Sequence, residues 1–381
     1  MLEDDSDALF DPPAPSTAMA KRRRRIRDDS TAAVQKSLEI QPFPSWARLR
    51  TNPVDNADAA ADAVFAAGAS LARLDQIMRS GADISRAGIG SADVSSAGKN
   101  FGTDGAEPVF VGALRQRLAL RAAVACATIA RLREDEGALR DAEHLAGFNA
   151  ALTPGGRLHR LWRLFAMSQG QNNARLDAAF MRTAADCLEL PPHINVTALV
   201  DLAEEASTVG NPLNAAARVS AASLQSMSDA PQIDAEIFAL WLADLVLARR
   251  LAWAAPLPLL ATVVTHPSLR TASNRRPRPS DPDWSVSVAR AAARAAQDAY
   301  ALASELARRS DKLLSVTPKL RAKRAERVVT LLLDDDCVSP ARAAKAGGLS
   351  ERASRRLFDR LVALGAVREL TGRANFRLYG L

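Results

Sequence analysis

In the last 63 residues of this 381-residue chain, Arg352, Arg355 and Arg356 fall at helical spacing, with Arg360 one turn further on. A guanidinium is planar, permanently charged and rich in N–H donors, so it can bridge guanine O6 and N7 or grip a phosphate. A row of them suits recognition of a polyanion, duplex DNA above all. Arg373 and Arg377 follow, and Ser350 stands where it can cap the helix that carries the row. The charge balance points to the same end of the chain. Lys319 to Leu381 holds 14 Lys and Arg against 7 Asp and Glu, while the other 318 residues hold 36 of each sign, so the whole formal charge of +7 lies here. Such an excess is the footprint of a nucleic-acid-binding module, and also of an ordinary solvated basic surface.

Other constellations fall short of a reactive site. Gly98-Lys99-Asn100 lacks the earlier Gly and the hydroxyl residue of a phosphate loop, because Asp93 and Asn100 occupy those positions. Gly88-Ile89-Gly90 lacks its third Gly and a preceding strand. Asp141 and His144 share a helix face near Glu134, Asp135 and Glu136, which reads as a surface charge cluster unless other helices supply matching ligands. Asp244, amid Trp241, Leu245 and Leu247, reads as a half-buried carboxylate paired with an arginine, usually a structural pair and only sometimes a perturbed acid. Cys126, Cys187 and Cys337 are far apart with no CxxC, which argues against a disulfide framework or a zinc site. No Ser or Cys has an assignable base, so no catalytic residue, metal or cofactor is expected.

The elements that must position these residues are helical. The chain holds 77 Ala, and aromatics make up only 5% of it, a mixture that favours helix over sheet and excludes a mainly β protein. The longest apolar run, Leu251 to Val264, has 14 residues and contains Pro256 and Pro258. A bilayer needs about 20, and no secretory signal is visible, so a cytoplasmic protein with no membrane partner is expected. Residues 1–45 are aperiodic and read as a disordered tail. Their basic run, with Arg22 to Arg25 at its centre, reads as a solvated stretch or as an arm for nucleic acid.

Residues 46–318 read as an irregular all-α domain interrupted by a flexible Gly/Ser-rich loop at 80–105. Helices are expected over Asp55–Met78, with Val64, Phe65, Leu71, Leu74 and Met78 on an apolar stripe, and over about Val109–Arg133, with Arg117 and Arg121 on the surface. Another covers roughly Ile233–Trp253. A long one opens at Asp281-Pro282, taken as cap and first-turn Pro, and runs to about Ser315.

Residues 319–381 carry a different pattern. A helix over Arg321–Leu333 precedes a short one opened by Ser339-Pro340, and Gly347-Gly348-Leu349-Ser350 makes a tight turn. A third helix spans Glu351 to about Leu364, burying Ala353, Leu357, Leu361 and Leu364. Short strands at Val367–Leu370 and Asn375–Tyr379 complete the order of a winged helix-turn-helix with a two-stranded wing. In that geometry the third helix enters the major groove, and Arg373 and Arg377 sit on the wing.

The stretches ALRQRLALRAAVACATIARLREDEGALRDAEHL, EIFALWLADLVLARRLAW, LLSVTPKLRAKRAERVVTLLLDD and SRRLFDRLVALGAVRELTGRANFRLYGL resemble an uncharacterised alphaproteobacterial family, domain-of-unknown-function family 1403. The likeness covers most of the chain after about Trp46, and the last segment is also similar to the winged helix of some Fic-family proteins. The resemblance implies a bacterial cytosolic protein encoded on mobile or plasmid-type DNA, and it brings no activity or functional residues.

The sequence thus points to a mainly α protein that binds duplex DNA through Ser350, Arg352, Arg355, Arg356, Arg360, Arg373 and Arg377. Its role would be that of a transcriptional regulator or replicon-maintenance factor, and its helical domain would serve dimerisation or partner binding. Two alternatives stand beside this: a scaffold whose winged helix docks a protein, and an enzyme with a site around Arg117, Arg121, Asp141 and His144.

Overall fold

A computed structural model describes residues 40–49, 58–80, 107–145, 152–167, 176–208, 210–320, 325–372 and 376–381. Most of the expected tail, the Arg22–Arg25 run, nearly all of the 80–105 loop and Arg373 lie outside the described residues. Among those described, no helix is long and apolar enough to cross a membrane.

The protein is mainly helical. The elements are α1 (Asp58–Met78), α2 (Val111–Ile129), α3 (Glu136–Leu145), α4 (Pro154–Met167), α5 (Ala178–Cys187), α6 (Val196–Thr208), α7 (Pro212–Ser226), α8 (Gln232–Arg250), the single turn α9 (Leu260–Val263) and α10 (Trp284–Val316). Then come α11 (Ala325–Asp334), α12 (Pro340–Gly347), α13 (Glu351–Ala363) and a hairpin of β1 (Arg368–Glu369) and β2 (Tyr379–Gly380).

Helices α2 and α8 occupy the interior. From Ala235 to Ala248 every residue of α8 is buried, and α2 is buried along nearly all its length. α8 is apolar on nearly every side and so belongs inside, whereas α2 also takes Arg115 and Arg117 inward, each met by a carboxylate, Glu107 and Asp336. Trp241 of α8 anchors an aromatic cluster, stacked on Phe165 of α4 at 5.2 Å and close to Phe180 of α5 at 5.4 Å. α10 lies along α1, with Trp284, Val288, Ala292, Ala295, Ala299, Leu302, Leu306 and Leu313 all buried, the stripe its spacing predicts. One continuous apolar core runs from α1 to the hairpin.

Three local expectations are corrected. Asp281 does not cap α10, which begins at Trp284 after Asp283. The Asp281 carboxylate instead turns back into the loop, accepting two bonds from Arg275 at 2.8 Å and one from the Arg278 amide at 2.9 Å. Val64 and Phe65 of α1 are exposed, at 47% and 61%, because α10 covers only the face bearing Ala63, Ala67, Leu71 and Leu74.

Asp244 is the third correction. It is fully buried and meets no arginine. Its two oxygens accept the Leu259 and Leu260 amides, each at 2.9 Å, and so cap α9 from another helix. Burial pushes its carboxyl up to about 7, against the pull of those amides. A raised acid favours folding most at pH values below its unfolded value, and that advantage fades as pH rises through the folded one. The wild type should therefore lose stability between about pH 4 and 7 relative to Asp244→Asn, as urea midpoints across that range would measure. Asp244→Ala, which leaves both amides bare, should cost about 1–3 kcal/mol.

The C-terminal elements follow their local signals closely. Ser339 caps α12, accepting from the Arg342 amide at 3.2 Å, with Pro340 in the first turn. Gly348 closes α12 at φ 58°, a backbone geometry that strains any side chain with a Cβ. Ser350 then caps α13, accepting from Ala353 at 3.2 Å. β1 and β2 pair antiparallel, Arg368 opposite Gly380 and Glu369 opposite Tyr379. Tyr379 also exchanges backbone bonds with Val338, at 2.7 and 3.0 Å, so residue 338 adds a third extended segment on the far side. The ladder is shorter than expected because the Leu378 amide points to Thr371 Oγ1, at 3.3 Å, as the chain turns.

Candidate nucleic-acid interface

α13 is sharply two-sided. Ser354, Leu357, Phe358 and Leu361 face inward, where Phe358 stacks on Tyr379 with centroids 4.3 Å apart and Ser354 Oγ donates to Pro340 O at 2.8 Å. Sheet and α12 thereby hold the helix from two directions. Arg352, Arg355, Arg356 and Arg360 are all exposed on the other side. Arg355 lies 3.6 Å from Glu351, both about two-thirds exposed, a pairing that water and salt weaken nearly to nothing. Arg352, Arg356 and Arg360 form no ion pair among the described residues. Ser350 is spent as a cap, so its part in any interface is to place the helix start. Arg377 on the hairpin is half exposed, 3.8 Å from Glu369.

Between α13 and the hairpin lies an open cleft of about 550 Å³. Glu351, Arg355 and Asp359, one stripe of α13, form one wall; Phe376, Arg377 and Tyr379 form another; His144 of α3 and Ser339–Ala341 close the end. Phe376 is 59% exposed there.

Beneath this surface is a buried seam that sequence reasoning missed. Asp335 and Asp336, at the end of α11, are each only 3% exposed. Asp336 accepts from Arg117 Nε of α2 at 3.1 Å and Arg140 Nε of α3 at 2.6 Å. Asp335 accepts from Arg163 of α4 at 3.3 and 3.4 Å, and from Arg342 of α12. Arg117 also donates to Leu381 O, and Arg163 reaches Glu143 at 3.3 Å. Helices α2, α3 and α4 thus grip the C-terminal elements by charge. Burial alone would raise the Asp335 carboxyl, but Arg163 and the other nearby cations outweigh it and hold the group at about 2. Next to the seam, burial lowers both His144 and His159, the latter to about 3, so each is neutral at pH 7.

α2 and α11 meet through a glycine. A Cβ on Gly112 would sit 2.6 Å from Asp334 Cα, closer than atoms tolerate, so only glycine permits this crossing.

The placement corrects the surface position expected for Arg117, which is 8% exposed and committed to Asp336. Arg121 faces solvent, and of Arg117, Arg121, Asp141 and His144 only His144 lines the cleft. The signal that could have found the seam was Asp334-Asp335-Asp336 following an apolar helix: consecutive carboxylates beside a core need cations brought to them. Among the described residues no group of His, Cys, Asp and Glu gathers as a metal site.

No curated protein matches the chain. A family model described as "Protein of unknown function (DUF1403)" matches residues 102–381, from just ahead of α2 through the hairpin. The chain belongs to that family.

Proposed function

We propose that residues 325–381 form a winged helix-turn-helix that binds duplex DNA, with α13 as the reading helix and the hairpin as its wing. The observation that carries this reading is the outward row of Arg352, Arg355, Arg356 and Arg360 on a capped helix that follows a tight turn. The element order, with Val338 as the strand between α11 and α12, supports it. So does the seam. Two of the segment's seven acids are buried against four arginines, of which only Arg342 belongs to the segment, so they take one cation from its basic surface rather than two. Phosphate contacts anchor such a module, and arginines at the start of α13 read base edges or groove shape. The setting that fits is a transcriptional regulator or replicon-maintenance factor in a bacterial cytoplasm.

The test is titration of the purified chain against labelled duplex DNA from its own upstream region at several salt concentrations. Binding should weaken steeply with salt, and competition by unrelated duplex separates a specific reader from a general binder. Absence of salt-sensitive binding overturns the reading.

The cleft favours a second reading, docking of a protein. Its lining mixes Arg355 and Arg377 with Glu351 and Asp359 around exposed Phe376, a balance closer to a protein interface than to a phosphate track. Failure to bind DNA, with capture of a partner that Phe376→Ser abolishes, would favour it.

A further inference from the structure

The exposed arginines of α13 are not equivalent in direction. Successive helical residues turn by about 100°, and Ser354, Leu357, Phe358 and Leu361 fix which way is inward. The crest, directly opposite, carries Arg352 and Arg356, one turn apart, with Asp359 beside them, all exposed. Arg355 and Arg360 lie about 70° to either side of that crest. Arg355 is on the cleft side, where it lines the wall and pairs with Glu351 at 3.6 Å. The helix cannot roll to exchange crest for flank. Phe358 is stacked on Tyr379 at 4.3 Å, and Ser354 Oγ is bonded to Pro340 O at 2.8 Å. A helix about 10–12 Å across fills a major groove about 12 Å wide, so its crest meets base edges and its flanks meet the two backbones.

We infer that Arg352 and Arg356 are the specificity-determining residues of this surface, each forking O6 and N7 of a guanine, while Arg355 and Arg360 hold phosphates on either side. The inference rests on duplex DNA being what α13 meets, and adds the class of sequence, a G·C-rich site. The donor inventory carries it. A guanidinium offers donors alone, and guanine is the base that presents two acceptors side by side in the major groove. Neither crest arginine forms an ion pair among the described residues. α13 contains no Asn or Gln, the side chains that fork adenine. Asp359 would repel a phosphate, whereas the N4 amino group of cytosine is matched to it. The step from Arg352 to Arg356 rises about 6 Å against about 3.4 Å per base pair, so the two guanines stand about two steps apart. Each guanidinium keeps N–H donors beyond its fork for a neighbouring phosphate, so reading a base and neutralising the backbone go together.

The test is selection by the full chain from a pool of short duplexes with a randomised core, followed by sequencing of the molecules retained. These should share two guanines about two steps apart. Arg352→Ala and Arg356→Ala should each erase the preference at one of the two and weaken binding to the enriched duplex about tenfold or more. Arg360→Ala should weaken all duplexes alike and keep the enriched pattern. All three positions are exposed, so circular dichroism should match wild type. In the enriched duplex, 7-deazaguanine at the two positions removes N7 while keeping base pairing and charge. That exchange should weaken wild type several-fold and leave the Arg352→Ala/Arg356→Ala double variant unchanged. Retained duplexes without shared guanines, or a pattern unaltered in both single variants, overturn the inference and leave DNA binding standing. A chain that retains no duplex at low salt overturns both.

Discussion

Replacing Arg352, Arg355 and Arg356 together by alanine should weaken binding to duplex DNA by about a hundredfold or more at physiological salt. The slope of log affinity against log salt should fall by about 2–3, since each lost phosphate contact removes nearly one released counterion. The loss should fall on binding alone. All three side chains are exposed, the helix is held by Leu357, Phe358 and Leu361, and the Glu351–Arg355 pair lies in water. Unchanged circular dichroism and urea midpoint would confirm that separation. An Arg327→Ala control, an exposed arginine on α11, should bind within a few-fold of wild type. A triple variant that keeps both affinity and salt slope would remove α13 as the reading helix, whatever else binds DNA.

Asp336→Ala should cost the folded chain about 3–5 kcal/mol, because it takes from Arg117 and Arg140 their shared buried carboxylate and leaves Arg140 only the half-exposed Glu136 at 3.9 Å. The penalty is that of an unpaired buried charge. A variant that removes the group as a whole, with Arg117→Met, Arg140→Met and Asp336→Leu combined, should recover much of it, because apolar residues of similar volume pack without desolvated charge. Urea unfolding of the three proteins measures both effects. Equal losses in the single and combined variants would show that packing rather than charge holds the seam. Acid should act on the same place. The Asp335 carboxyl is held at about 2 from an ordinary value of 3.8, so its contribution is complete above about pH 4 and lost as pH falls toward 2. In Asp335→Asn that stretch of the pH–stability curve should flatten.

The parts legible in the sequence were those governed by neighbours along the chain. Ser339-Pro340, Gly348 and Ser350 act within a few residues, so the bounds of α12 and α13 follow from them, as does the exposure of the arginine row. The buried stripe of α10 follows from periodicity in the same way. The seam could not be read so, because Arg117 and Asp336 are 219 residues apart and nothing near Arg117 marks it as internal. Its neighbour Arg121, on the same helix, is solvent-exposed. Asp244 failed for a similar reason: its partners are the amides at the start of α9, 15 and 16 residues on, and no side chain announces them. Phe65 shows the limit of hydrophobic pattern, which tells which residues avoid water but not whether the chain itself supplies the cover.

The glycine at the α2–α11 crossing bears on how this protein can be taken apart or recombined. Modules that move between genes as independent cassettes join their hosts through few contacts and tolerate drift at the junction. Here the junction tolerates none at residue 112, where even a methyl group would meet the Asp334 backbone, and the carboxylates beside it are matched to cations on three other helices. A fragment cut at residue 319 would carry Asp335 and Asp336 into water and lose the wall that His144 gives the cleft. Inheritance of the C-terminal module should therefore be all or nothing: α2, α3 and α4 travel with it, or the transplanted piece must evolve a new base.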